Sequence, residues 1–205
     1  MICQETKIVA SVSFEISYNP KNVALIYSGL AVIVMGVSGS GKTTLACQLA
    51  RALDGKVFDA DDFHEPASVE KMRAGVPLTD EDRRPWLARL NWLLRSHRDE
   101  AHAVNSSEPV RPIVLACSAL KESYRAEILR GVSHARLIFL DGDYETIAAR
   151  IRDRSAKTTH YMPEALLQSQ FDVLERPSAA ITIDVNLSPD AQLRCAISSL
   201  GMGPG

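Results

Sequence analysis

Apolar and polar residues alternate through Ile8, Ala10, Val12, Phe14, Ile16 and Tyr18, the period-two pattern of a strand with one buried face. Asn19-Pro20-Lys21-Asn22 then reads as a turn and residues 23–27 as a second short strand. Residues 1–29 are therefore either a hairpin added at a sheet edge or a poorly ordered extension. From residue 31 the pattern changes to short, continuous apolar runs separated by segments of helical period. AVIVM at 31–35, KVFD at 56–59, IVLA at 113–116, residues 136–140 and ITID at 181–184 predict strands. Helices are expected over 42–53, ending at Asp54-Gly55, on both sides of a loop at 75–82, after each of the later strands, and at the C-terminus. Strands and helices taking turns imply an α/β fold with a parallel sheet covered on both faces. No internal repeat or heptad pattern interrupts this order; 105–112 reads as a surface loop and 201–205 as a flexible tail.

The 205 residues suffice for one well-buried core, so residues 30–200 are expected to form a single domain with a mobile flap. A net charge of -2 offers no surplus to recruit nucleic acid or an anionic membrane, which leaves a small molecule as the expected partner. The 4 cysteines, Cys3, Cys47, Cys117 and Cys195, are scattered, form no CxxC pair, and suggest neither a disulfide framework nor a zinc site. The apolar stretch 23–37 falls short of the roughly 20 residues a membrane-spanning helix needs and is broken by Ser28 and Gly29. The N-terminus lacks the basic region of a signal peptide, and Glu5 and Glu15 argue against a transit peptide. A cytoplasmic location is expected.

The first apolar strand empties into Gly36-Val37-Ser38-Gly39-Ser40-Gly41-Lys42-Thr43-Thr44, a phosphate-binding P-loop pattern. Its glycines permit the left-handed backbone that turns successive N–H groups inward, Lys42 reaches toward β- and γ-phosphates, and the Thr43 hydroxyl suits Mg²⁺. At the end of the second strand lies Phe58-Asp59-Ala60-Asp61-Asp62-Phe63-His64. If the segment is extended, Asp59 and Asp61 face the same way, toward the strand ends where ligands bind. One carboxylate then holds a metal's water shell, and the other accepts a proton from an attacking hydroxyl. The plain alternative is a solvated acidic turn. Lys121 and Arg125, after the strand at 113–116, are anion-contact candidates by the same placement. Arg83, in KMRAGVPLTDEDRRPWL at 71–87, reads by periodicity as a surface charge, and Pro85 suits the first turn of a helix.

These blocks, with CSALKESYR at 117–125 and MPEALLQSQFDVLE at 162–175, occur in the order found in the gluconokinase (gluconate kinase) family, and the chain resembles that family over residues 30–177. The resemblance implies a three-layer P-loop kinase fold with a five-stranded parallel sheet flanked by helices, plus a mobile lid at about residues 150–162. It implies ATP and Mg²⁺ as cofactors, transfer to the 6-hydroxyl of D-gluconate for the pentose phosphate pathway, and a homodimer. Carried onto this sequence, ATP falls on Gly36, Val37, Ser38, Gly39, Ser40, Gly41, Lys42, Thr43, Thr44 and Arg150, and the metal on Thr43 and Asp59. Catalysis falls to Lys42, Asp61 and Arg154. The sugar acid falls to Asp61, His64, Lys71, Arg83, Lys121, Arg125 and Gln170, with Arg83 favoured for its carboxylate because a guanidinium binds it bidentately.

The lid departs from the family pattern. Arg150-Ile151-Arg152-Asp153-Arg154 is followed by a longer loop in which Thr159 stands where a glycine is expected, leaving Arg152, Arg154 and Lys157 open as the residue that closes on ATP. Two other readings stand beside a gluconokinase: a kinase of the same fold acting on shikimate or another aldonate, and a catalytically idle nucleotide-binding module that regulates a partner.

Overall fold

The computed structural model describes residues 27–102, 109–155 and 164–202. The hairpin expected in residues 8–26 lies outside the described residues, as do residues 105–108 of the expected 105–112 loop, the lid segment 156–163 and residues 203–205. Tyr27, expected to end a strand, instead lies in a turn at 27–29, where the Leu30 N–H donates to the Tyr27 carbonyl at 2.9 Å and the Gly29 N–H to Val110 at 2.9 Å.

Five parallel strands form one sheet in the order β2-β3-β1-β4-β5. These are β1 (Ala31–Met35), β2 (Lys56–Asp59), β3 (Ile113–Ala116), β4 (Ala135–Asp141) and β5 (Ile181–Asp184). β1 is buried along its whole length and pairs with β3 on one side and β4 on the other. This explains why it reads as an unbroken apolar run. Because the chain builds outward in opposite directions from β1, a crevice opens at that strand's carboxyl end, the usual ligand position in such sheets.

The helices are α1 (Lys42–Ala52), α2 (Pro66–Arg73), α3 (Asp80–His102), α4 (Glu122–Leu129), α5 (Tyr144–Ser155), α6 (Glu164–Asp172) and α7 (Pro189–Ile197). Alternate residues of the strands point to opposite faces. Val32, Val34, Ile138, Leu140 and Ile183 meet Leu45 and Leu49 of α1, Ile147 and Ile151 of α5, Leu167 of α6 and Ala196 of α7. Ile33, Met35, Leu115 and Phe139 meet Trp86, Leu87, Leu90 and Leu94 of α3 and Tyr124 and Ile128 of α4. The result is three layers, with α2 contributing no side chain to either core.

Two local outcomes differ from expectation. The loop at 75–82 is shorter than predicted because α3 begins at Asp80, and Pro85 lies in its interior rather than its first turn. A reciprocal cap starts the helix early: the Asp82 N–H donates to the Thr79 hydroxyl at 3.2 Å and the Thr79 N–H to the Asp82 carboxylate at 2.9 Å. The stop after α1 is a Schellman-type turn, with the Gly55 N–H reaching the Ala50 carbonyl at 2.7 Å and Asp54, not Gly55, taking the left-handed position at φ 50°.

Leu90 is fully buried between α3 and the sheet. Leu90→Ala is expected to cost about 2–5 kcal/mol of unfolding free energy in a urea titration, with the fold retained.

Candidate active site

The chain leaving β1 turns through Gly36 at φ 149° and Gly39 at φ 83°, both in the region glycine favours. Space constrains them too. A Cβ on Gly36 would lie 2.7 Å from the Ser40 Oγ and 2.9 Å from the Leu140 carbonyl oxygen, and one on Gly39 would lie 2.7 Å from the Ile151 side chain. The loop thus closes against α5 and β4, and ends at Gly41, which starts α1 without a side-chain cap. Open N–H groups and the positive end of an 11-residue helix face the crevice, an arrangement that favours phosphate. Lys42 folds back over the loop, its Nζ donating to the Val37 carbonyl at 3.0 Å.

Across from the loop, the Thr43 hydroxyl donates to the Asp59 carboxylate at 3.2 Å. Asp59 ends β2, but the chain does not stay extended to Asp61: Ala60–Phe63 is a 3₁₀ turn, and the Asp59 carboxylate caps it by accepting the Asp61 N–H at 3.1 Å. The two aspartates come together through that cap rather than through strand alternation. Asp61 keeps an exposed edge, yet the surrounding protein desolvates its carboxylate; burial first, and the neighbouring Asp59 charge second, raise its pKa against the pull of Lys42.

The turn is held by Trp86, whose indole N–H donates to the Ala60 carbonyl at 2.7 Å. The same ring stacks on His64, with centroids 4.7 Å apart and planes within 8°. Burial lowers the His64 pKa, so its imidazole is neutral at neutral pH, and its Nδ1 lies buried without a hydrogen-bond partner.

Beyond His64 is a group of cations. The Arg83 guanidinium lies 5.6 Å from the centre of the Tyr124 ring and the Lys121 ammonium 5.1 Å from it. The Asp80 carboxylate accepts from Lys121 at 3.0 Å and from the Tyr124 hydroxyl, and lies 3.9 Å from Arg83. Tyr124 and Lys121 hold the Asp80 carboxyl below its ordinary range, while Asp80 raises Lys121. Two cations against one carboxylate leave this group with a single net positive charge.

The remaining expected site residues are engaged elsewhere. Lys71 pairs with Asp82 at 2.7 Å. Arg125 is buried, with its donors on the Ala119 and Leu120 carbonyls at 2.9 Å and on Glu122, so it fixes the loop that presents Lys121. Gln170 bonds to Ser38 of the phosphate loop, and Arg150 donates to the Val185 carbonyl just past β5. Arg152 is exposed; the Arg154 side chain and Lys157 lie outside the described residues. Asp80, Tyr124 and Trp86 were not singled out from the sequence as site residues. Tyr124, one helical turn beyond Lys121, was the clue available.

A glycine loop whose shape suits phosphate, a helix dipole behind it and a desolvated carboxylate within reach of its lysine serve group transfer from a nucleotide, and the molecule is a P-loop kinase for small molecules. A family model described as an AAA domain matches residues 32–177. The thermosensitive gluconokinase of Escherichia coli (strain K12) is 44% identical over 163 residues, 78% of this chain and 81% of that protein. The gluconokinase of Arabidopsis thaliana is 40% identical over 176 residues, 80% and 88% of the two chains. The crystal structure of a gluconokinase from Sinorhizobium meliloti 1021 superposes with a TM-score of 0.71 at 35% identity, covering 84% of this chain and 92% of that one. This chain belongs to the gluconokinase family.

The Lys71 partner and the Thr79 amide hold Asp82 down to about 2. A carboxyl depressed on folding contributes stability above its unfolded pKa of about 3.9 and loses it as pH falls toward the folded value. The melting-temperature gap between the parent protein and Asp82→Asn is therefore expected to be widest at pH 5 and above and to narrow toward pH 3. A gap that does not change with pH would rule this linkage out.

Proposed function

We propose that the chain transfers the γ-phosphoryl group of ATP to the 6-hydroxyl of D-gluconate, giving 6-phospho-D-gluconate for the pentose phosphate pathway. The observation that carries this reading is a row of interacting groups, Lys42 with Asp61, Asp61 with His64 and His64 with Arg83, so that one small acid can present a hydroxyl at one end and a carboxylate at the other.

ATP phosphates lie in the loop 36–44, and Lys42 leaves the Val37 carbonyl to follow the transferred group. Thr43 and Asp59 offer hard oxygen donors 3.2 Å apart, a set that fits Mg²⁺ better than a softer metal. When bound, Mg²⁺ neutralises charge on the β- and γ-phosphates. Asp61 orients the acceptor hydroxyl and takes its proton; burial and the Asp59 charge, which raise its pKa, make it a stronger base than an ordinary aspartate. Neutral His64, backed by Trp86, offers a hydrogen bond to a polyol hydroxyl. Arg83 and Lys121 bind the carboxylate, and their single net positive charge after Asp80 matches a monoanion. Lys71 and Arg125 support this pocket from their present partners, and Gln170 braces the phosphate loop at Ser38. Arg154 is our choice for the lid cation, with Arg150 anchoring the helix that carries it.

Among the described residues no helix is long and apolar enough to cross a membrane. We place the enzyme in the cytoplasm, acting as a homodimer without nucleic-acid or membrane partners.

ADP release with Mg²⁺-ATP, compared across gluconate, other aldonates, shikimate, neutral sugars and no acceptor, tests the proposal. Turnover with gluconate is expected; turnover confined to another acceptor keeps the kinase chemistry and removes the substrate, and nucleotide binding with no turnover on any acceptor favours the idle module. Asp61→Asn is expected to lower kcat by about 10²-fold or more with a smaller change in KM. Because folding raises the Asp61 pKa, its charge opposes folding at neutral pH. The variant should therefore melt no lower than the parent at pH 7, which separates lost chemistry from lost structure.

A further inference from the structure

Gln170 lies on α6, far along the chain from the phosphate loop, yet its side chain makes both of its bonds there. The Ser38 N–H donates to the Gln170 Oε1 at 2.7 Å, and the Gln170 Nε2 donates to the Ser38 hydroxyl at 3.0 Å. Two bonds from one planar amide fix orientation as well as distance. One of the loop's inward-turning amides is thus held by the protein.

The helix that makes this clamp is itself anchored. Leu167 is buried in the core, and Phe171 packs edge-on against Tyr144 of α5 with ring centroids 5.5 Å apart. α5 also backs the next residue of the loop, because Ile147 and Ile151 fill the space beside Gly39. The tip of the phosphate loop is therefore braced by α5 and α6, the two helices on either side of residues 156–163, while its base belongs to β1 and α1.

We propose that Gln170 is a positioning residue for phosphoryl transfer: it sets the Ser38 end of the phosphate loop from α6, so that the residues that follow keep the curvature that receives the β- and γ-phosphates. It acts on the nucleotide through Ser38 and does not hold the acceptor. The inference rests on the kinase reading and not on the identity of the acceptor.

The test compares Gln170→Leu, Ser38→Ala and the double variant. ATP binding is titrated without acceptor, and kcat and both KM values are measured with gluconate. Gln170→Leu should weaken ATP binding and lower kcat, each by about tenfold, as expected for one or two lost hydrogen bonds, with the KM for gluconate within about twofold. Ser38→Ala should cause part of the same loss, and the double variant should be no worse than Gln170→Leu alone, because both remove one interaction. Gln170→Glu keeps the length and the acceptor for the Ser38 N–H but adds a negative charge beside the phosphates; it should retain the parent melting temperature and still bind ATP weakly. A rise confined to the KM for gluconate would make Gln170 an acceptor ligand and overturn the proposal. Additive losses, or unchanged ATP binding in Gln170→Leu, would overturn it as well. The nucleotide titration reads out even if gluconate proves not to be the acceptor, so the two failures are distinguishable.

Discussion

The site depends on β1 ending where it has no further sheet partner. Between β3 and β4 its amides are consumed by the ladder and its side chains by two cores, so its course is fixed. Past Met35 the backbone must satisfy its N–H groups in another way. Tight contact with Leu140 and Ile151 admits only glycine at two turns of the loop, and that conformation directs the amides into the crevice. Phosphate binding is thus the solution to a hydrogen-bonding deficit created by the most buried strand of the sheet.

Charge on the acceptor side is arranged by pairing rather than by accumulation. Lys71 is matched by Asp82, Lys121 by Asp80 and Arg125 by Glu122 together with two carbonyls. Asp61 is the exception, since its nearest like charge, Asp59, is held close by the cap of the 3₁₀ turn. The fold therefore tolerates one unfavourable carboxylate at the position we propose for the base, a pattern common at functional sites.

The fold was legible because its strands are short apolar runs that buried parallel sheets require; four of the five, Ala31–Met35, Lys56–Asp59, Ile113–Ala116 and Ile181–Asp184, have the predicted bounds. The start of α3 was less legible, because a Thr79–Asp82 cap looks in sequence like loop composition. The phosphate loop was legible because its chemistry is local. Side-chain partners over long separations were not. Nothing in the spacing distinguishes a guanidinium facing a ligand from one, like Arg125, facing the carbonyls of its own loop, and nothing near Gln170 in sequence indicates Ser38. Even the proximity of Asp59 and Asp61 arises from a 3₁₀ turn and not from an extended strand.

Trp86 joins two parts of the pocket that the chain keeps well apart. Its indole N–H bonds the turn that carries Asp61, its ring carries His64, and it is rooted in α3 three residues after Arg83. One buried indole thus sets the spacing of Asp61, His64 and Arg83, so a smaller side chain at position 86 would loosen all three together although only one position had changed.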